Sequence, residues 1–164
     1  MTTEINDTAT PQDGANVALD HVRNIITSGG LNAEAAITRV EGDLVCIDIT
    51  GDDAGYFVGR RGQVLDSLQY LLLVMVTHNK PGTGRLRIQL DADGYRKRRE
   101  ESLKELAQSL ADQVKATGEE AVLEPLNALE RRIVHTELAD DPDVETYSEG
   151  EDSNRHIVIT PRRK

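Results

Sequence analysis

Apolar residues fall at helical spacing at Val17, Ala18, Val22, Ile25 and Ile26, which predicts a helix over 17–28 ended by Gly29-Gly30. The period then drops to two. Strands are expected over 35–40 and 44–50, with Val45, Ile47 and Ile49 alternating against Leu44, Cys46 and Asp48, and with Glu41-Gly42-Asp43 as the hairpin turn. A short segment, 53–58, leads into Gly59-Arg60-Arg61-Gly62. The helix predicted over 63–77 carries the stripe Val64, Leu65, Leu68, Leu71, Leu72 and Met75. Residues 79–84 suit a loop. Over 85–90 a strand sets Leu86, Ile88 and Leu90 on one face and Arg85, Arg87 and Gln89 on the other.

Asp93 suits the N-cap of a long helix over 94–117, whose buried stripe would hold Leu103, Leu106, Ala107, Leu110 and Val114, and Gly118 ends it. A second unit starts near Ala121. Pro125 fits the first turn of a helix running to Leu138 with Leu126, Leu129 and Ile133 inward, and Asp140-Asp141-Pro142-Asp143 breaks it. Strands near 144–148 and 155–160 close the chain. The pattern predicts an α+β protein: a tail over 1–15, an αββααβ domain over 16–92, a linking helix over 93–118, and a small α/β domain over 119–164. The tail is polar and without periodicity, which predicts disorder.

Composition narrows the function. Aromatic residues are 3% of the chain, which argues against modules that stack bases on aromatic platforms. The single cysteine, Cys46, sits in an apolar alternating stretch and can form neither an internal disulfide nor a cysteine zinc site. No apolar run is long enough for a membrane span and no signal peptide is seen, so a reducing, cytoplasmic setting without membrane insertion is expected.

The net charge of −10 looks unsuited to nucleic acid until its distribution is read. Residues 1–54 carry 2 basic and 10 acidic groups (net −8), 55–99 carry 9 and 3 (net +6), and 100–164 carry 8 and 16 (net −8). A basic block lies between acidic flanks, and those flanks would suppress non-specific phosphate binding.

The chemistry within that block is concentrated at Gly59-Arg60-Arg61-Gly62. Glycines at both ends permit a sharp turn and close approach of another backbone. The following helix offers N-terminal amides and the positive end of its dipole, and two arginines add charge. This is the recipe of the KH clamp, which grips the backbone of about four nucleotides. A dinucleotide-binding reading of Gly55, Gly59 and Gly62 fails the G-x-G-x-x-G spacing. On the long helix, Tyr95-Arg96-Lys97-Arg98-Arg99 places cations against the dipole, which a ligand phosphate or Glu100 and Glu101 would offset. Arg131 and His135, four apart, are expected to face outward together, roughly opposite the apolar stripe. They offer a phosphate fork and a ring that stacks or donates a hydrogen bond. His21, His78 and His156 are scattered, with no metal-ligand spacing. No cofactor, metal or catalytic set is predicted.

Three stretches, GYFVGRRGQVLDSLQYLL, LDADGYRKRREESL and ERRIVHTEL followed by VETYSEGEDSNRHIVITPR, resemble the Jag/KhpB (SpoIIIJ-associated) family over about residues 15–162. The resemblance implies a type II KH-like domain joined by the long helix to a domain named for its R-x-x-x-H motif. It implies binding of single-stranded RNA, with single-stranded DNA as an alternative, and post-transcriptional control or RNA chaperoning linked to cell elongation and the envelope. It also implies a partner, a small single-KH protein of the KhpA type. Matching residue by residue, it nominates Val58, Gly59, Arg60, Arg61 and Gly62 in the first module, Arg96 on the linking helix, and Arg131, His135 and Arg155 in the second. Many family members carry an N-terminal Jag domain. Here a short acidic tail precedes the first module, so functions tied to that domain are not carried over. A rival expectation is a protein interaction module that uses the KH surface to dimerise.

Overall fold

The computed structural model describes residues 10–79 and 86–162, in two compact units divided after Arg96. Residues 1–9 of the expected tail, positions 80–84 of the expected loop, and Arg85 lie outside the described residues.

In the first unit, α1 (Pro11–Gly29) begins at Pro11, not at Val17. A capping box overrides the polar composition there. The Thr10 hydroxyl accepts from the Asp13 N–H at 3.3 Å, and the Asp13 carboxylate accepts from the Thr10 N–H at 2.9 Å. Gly14 and Ala15 are consequently buried. Strands β1 (Glu34–Glu41) and β2 (Leu44–Thr50) pair antiparallel, and β3 (Arg87–Ala92) pairs parallel to β2, in the order β1-β2-β3. The crossover between the parallel strands runs through α2 (Gly55–Val58) and α3 (Gln63–Asn79). Helices α1 and α3 pack on one face of the sheet, around Val22, Val45, Ile47, Ile49, Leu65, Leu72 and Leu90. The observed element order is αββααβ, as the pattern predicts. The α3 stripe is narrower than expected. Leu65, Leu72 and Val76 are buried, whereas Val64 and Leu71 are 45% and 48% exposed.

Helix α4 (Tyr95–Thr117) starts at the end of the first unit and continues in the second. Just before it Asp93 adopts φ 49, and the Asp91 carboxylate accepts from the Arg96 N–H at 3.1 Å. Leu103, Ala107, Ala111 and Val114 enter the second core, while Leu106 is 45% exposed. Strands β4 (Ala121–Val122), β5 (Val144–Glu149) and β6 (His156–Pro161) form an antiparallel sheet in the order β4-β6-β5. β4 is too short for a periodicity signal. Helix α5 (Ala128–Glu137) starts three residues beyond Pro125, because Asn127 caps it. The stripe is rotated accordingly: Leu129 is 60% exposed, and Glu130, Val134 and Leu138 point inward. Among the described residues no helix is long and apolar enough to cross a membrane.

Asp48 faces Asp91 across the β2–β3 pair, and its Oδ1 is buried with no hydrogen-bond partner among the described residues. Desolvation, then the Asp91 charge, raises its pKa above the ordinary carboxylate range. Because the raised value belongs to the folded state, stability is highest while Asp48 holds its proton and declines as pH rises through that value. Asp48→Asn should therefore raise the first unit's melting temperature at pH 7 by roughly 2–5 °C. The gain should vanish near pH 4, as read by calorimetry at the two pH values.

Candidate nucleic-acid interface

The turn between α2 and α3 is built on backbone that side chains cannot share. Gly59 has φ 67 and ψ −168, and a β-carbon there would overlap the Val64 side chain. Gly62 has φ 80, and a β-carbon would meet Cε1 of Tyr95 at 2.8 Å. Between them Arg61 adopts the left-handed region, φ 54, and residues Arg60–Gly62 form one 3-10 turn continuous with α3. The Gln63 N–H closes that turn on the Arg60 carbonyl, so this amide is bonded within the loop. Arg60 is exposed, Arg61 half-buried, and Val58 packs against the core. The nominated loop residues are contiguous in the chain at the start of α3, with Gly59 and Arg60 exposed and Gly62 buried.

Arg96 is nearby but engaged. Its Nε donates to the Leu90 carbonyl at 2.8 Å, and its Nη2 donates to Asp66 Oδ1 at 3.0 Å and Gln69 Oε1 at 3.1 Å. Gln69 Oε1 also accepts from the Leu90 N–H at 3.0 Å. This network ties α3 to the open side of β3 and supports the loop from behind. Gln69, Asp66 and Tyr95 carry no sequence signal that marks them for it.

In the second unit, Arg131 and His135 are half-buried and not free on an outward face. Arg131 Nη1 donates to the Leu126 carbonyl at 2.7 Å, and the Leu126 N–H donates to the Arg155 carbonyl at 3.1 Å. Leu126 therefore brings Arg131 and the exposed Arg155 to one region. His135 turns toward β5, with Nδ1 2.6 Å from Thr146 Oγ1 and Nε2 3.2 Å from Ser148 Oγ. A neutral ring donates from one nitrogen and accepts at the other, and a hydroxyl serves either role. Burial, then the Arg131 charge, lowers the His135 pKa, so the ring is neutral at pH 7. The pair's expected solvated face is in fact a seam between helix and strand, because α5 is rotated by its cap.

Glu130 makes that cap and was missed by the hydrophobic pattern. It is 7% exposed. Its Oε2 accepts from the Asn127 N–H at 3.1 Å, while its own N–H donates to Asn127 Oδ1 at 2.9 Å. Oε1 accepts from Arg99 Nε at 2.7 Å. The N-x-x-E spacing of Asn127 and Glu130 was the available signal. Among the described residues no group of three or more His, Cys, Asp or Glu side chains is placed to hold a metal ion.

The family model for the domain named after the R-x-x-x-H motif matches residues 101–161, which span α5 and the β4-β6-β5 sheet. The RNA-binding protein KhpB of Clostridium symbiosum is 45% identical over 118 residues, 72% of this chain and 52% of that protein. KhpB of Bacillus subtilis is 40% identical over 117 residues, 70% of this chain and 55% of its own. KhpB of Lactiplantibacillus plantarum is 39% identical over 109 residues, 66% and 33% respectively. The chain is thus similar to RNA-binding proteins named KhpB over 109 to 118 residues. The resemblance read from its three motifs is borne out, and Arg131 and His135 lie within the matched R-x-x-x-H domain. The chain spans about half the length of the first two proteins and a third of the last.

Two outcomes follow from the geometry. Glu130→Ala leaves Arg99 half-buried without its carboxylate and α5 without its box, and should cost about 2–4 kcal/mol in the second unit's urea unfolding. In an NMR pH titration, His135 should titrate below 6.5, and Arg131→Ala should move its midpoint part of the way back up, since burial is the larger cause.

Proposed function

We propose that this chain is a single-stranded RNA-binding protein, with residues 16–92 as a type II KH-like domain and the R-x-x-x-H domain as a second contact. The observation that carries the reading is the Gly59–Gly62 turn with its two arginines, on an αββααβ unit with a parallel β2–β3 pair. The glycines let the chain turn sharply at the start of α3, and Arg60 and Arg61 supply the charge that phosphates select. Val58 and Val64 line the adjacent groove. Arg131, His135 and Arg155 contact a second stretch of strand, with Arg131 and Arg155 on phosphate and the neutral His135 ring fixing the helix that presents them. The KhpB relatives, named as RNA-binding proteins, support the choice of RNA. Binding is sequence-tolerant, since phosphate contacts carry no base information. The role in the cell is that of a post-transcriptional regulator or RNA chaperone tied to elongation and envelope control, without enzymatic activity.

A second reading has one favouring observation. Val64, Leu71 and Val74 of α3 are 45%, 48% and 44% exposed and lie three to seven residues apart on one face. Such a face suits dimerisation, or pairing with a small single-KH protein. Salt separates the two readings, because phosphate binding weakens steeply with ionic strength and apolar association does not.

The direct test is fluorescence anisotropy with a labelled unstructured RNA. Arg60→Asp combined with Arg61→Asp should weaken binding at least about tenfold and flatten its salt dependence, with circular dichroism unchanged. Equal affinity in the double variant refutes the clamp. A single-stranded DNA of the same sequence reports whether the 2′-hydroxyl contributes.

A further inference from the structure

Alternation along β6 sends Ile157 and Ile159 into the second core and Val158 to the opposite face of the sheet. Val158 is nevertheless only 1% exposed. Its register partners account for this: Val122 of β4 on one side and Tyr147 of β5 on the other. The three side chains form an apolar row across all three strands. Its ends remain open, with Val122 58% and Tyr147 44% exposed.

Carboxylates frame the row. Glu145 and Glu149 stand two residues to either side of Tyr147 on β5, and are exposed. Glu120, two residues before Val122, is also exposed. The negative charges of Glu120 and Glu149 act on the Tyr147 phenol, which partial burial already holds above its ordinary pKa. Among the described residues, the basic side chains that alternation places on this face are His156, 3.9 Å from Glu149, and Arg162, whose Nη2 donates to the Val144 carbonyl at 3.2 Å at the end of the sheet. Residues 100–164 carry 8 basic and 16 acidic groups, an excess that a phosphate-binding surface does not need.

We infer that this outer face of the C-terminal sheet docks an arginine- or lysine-rich segment of a partner protein. The Tyr147 ring offers a cation–π seat. The apolar row accepts the aliphatic stems of long basic side chains, and the framing glutamates meet their charged heads. Nucleic acid is repelled by the same carboxylates. The inference stands apart from the RNA reading, since it uses neither Arg131, His135, Arg155 nor the Gly59–Gly62 turn.

The test is an NMR titration of the full chain with an octa-arginine peptide at about 0.15 M salt, where long-range attraction is largely screened. Shifts should centre on Val122, Tyr147 and Val158. Glu145→Lys with Glu149→Lys should weaken binding at least tenfold. Asp20→Lys with Glu34→Lys, the same change in net charge on exposed positions of the first unit, should alter it by less than twofold. Tyr147→Phe should retain affinity, and Tyr147→Leu, which still covers Val158, should lose about threefold. Diffuse shifts, or equal losses in the two charge-reversal variants, would overturn the inference, because both mean that only net charge attracts the peptide.

Discussion

Between α2 and α3 the backbone passes where no β-carbon fits. On one side the Val64 side chain occupies the space a residue other than glycine at 59 would need. On the other the Tyr95 ring occupies it at 62. Everything downstream in the first unit hangs on that close passage. It joins the last turn of α2 directly to α3 within the crossover between parallel strands, so it sets how α3 leaves α2. The space beside both glycines is filled by the protein's own Val64 and Tyr95 side chains, and Arg60 is exposed next to them.

The polar groups near that turn are arranged to hold it. Arg96 reaches the Leu90 carbonyl, Asp66 and Gln69, and Gln69 in turn satisfies the Leu90 N–H. Arg87 donates to Asp43 at 2.8 Å on the same sheet. In the second unit Arg99 lies on the buried Glu130. Several cations of the basic block are thus bound to protein acceptors, which removes the cost of placing them at a helix N-terminus against its dipole. The second unit repeats the logic: one carboxylate caps α5 and holds Arg99, and that cap decides which way Arg131 and His135 face.

Charge of opposite sign is distributed among separate surfaces of the second unit. Arg131 and Arg155 meet around Leu126, whereas Glu145 and Glu149 stand on the outward side of β5, beside Tyr147. At physiological salt potentials decay within about 8 Å, so each of these surfaces acts locally despite the net charge of −10.

The element order of the first unit, the α+β class and the glycine-arginine turn were legible in the sequence, because each rests on local chemistry: a period of two or 3.6, a turn that only glycine permits, a motif at fixed spacing. Even the start of α1 at Pro11 was written there as Thr10 and Asp13, although low hydrophobicity concealed it. What the sequence could not determine was which side of each helix faces inward. Val64, Leu71, Leu106 and Leu129 fit apolar stripes and are half-exposed, whereas Glu130 is buried. That choice belongs to tertiary structure, since a helix rotates to satisfy its cap and its ion pairs as well as its apolar residues. The side-chain partners of Arg96, Arg99 and His135 were hidden for the same reason: they lie 11 to 31 residues away, and contacts of that range form only once the sheets have set their register.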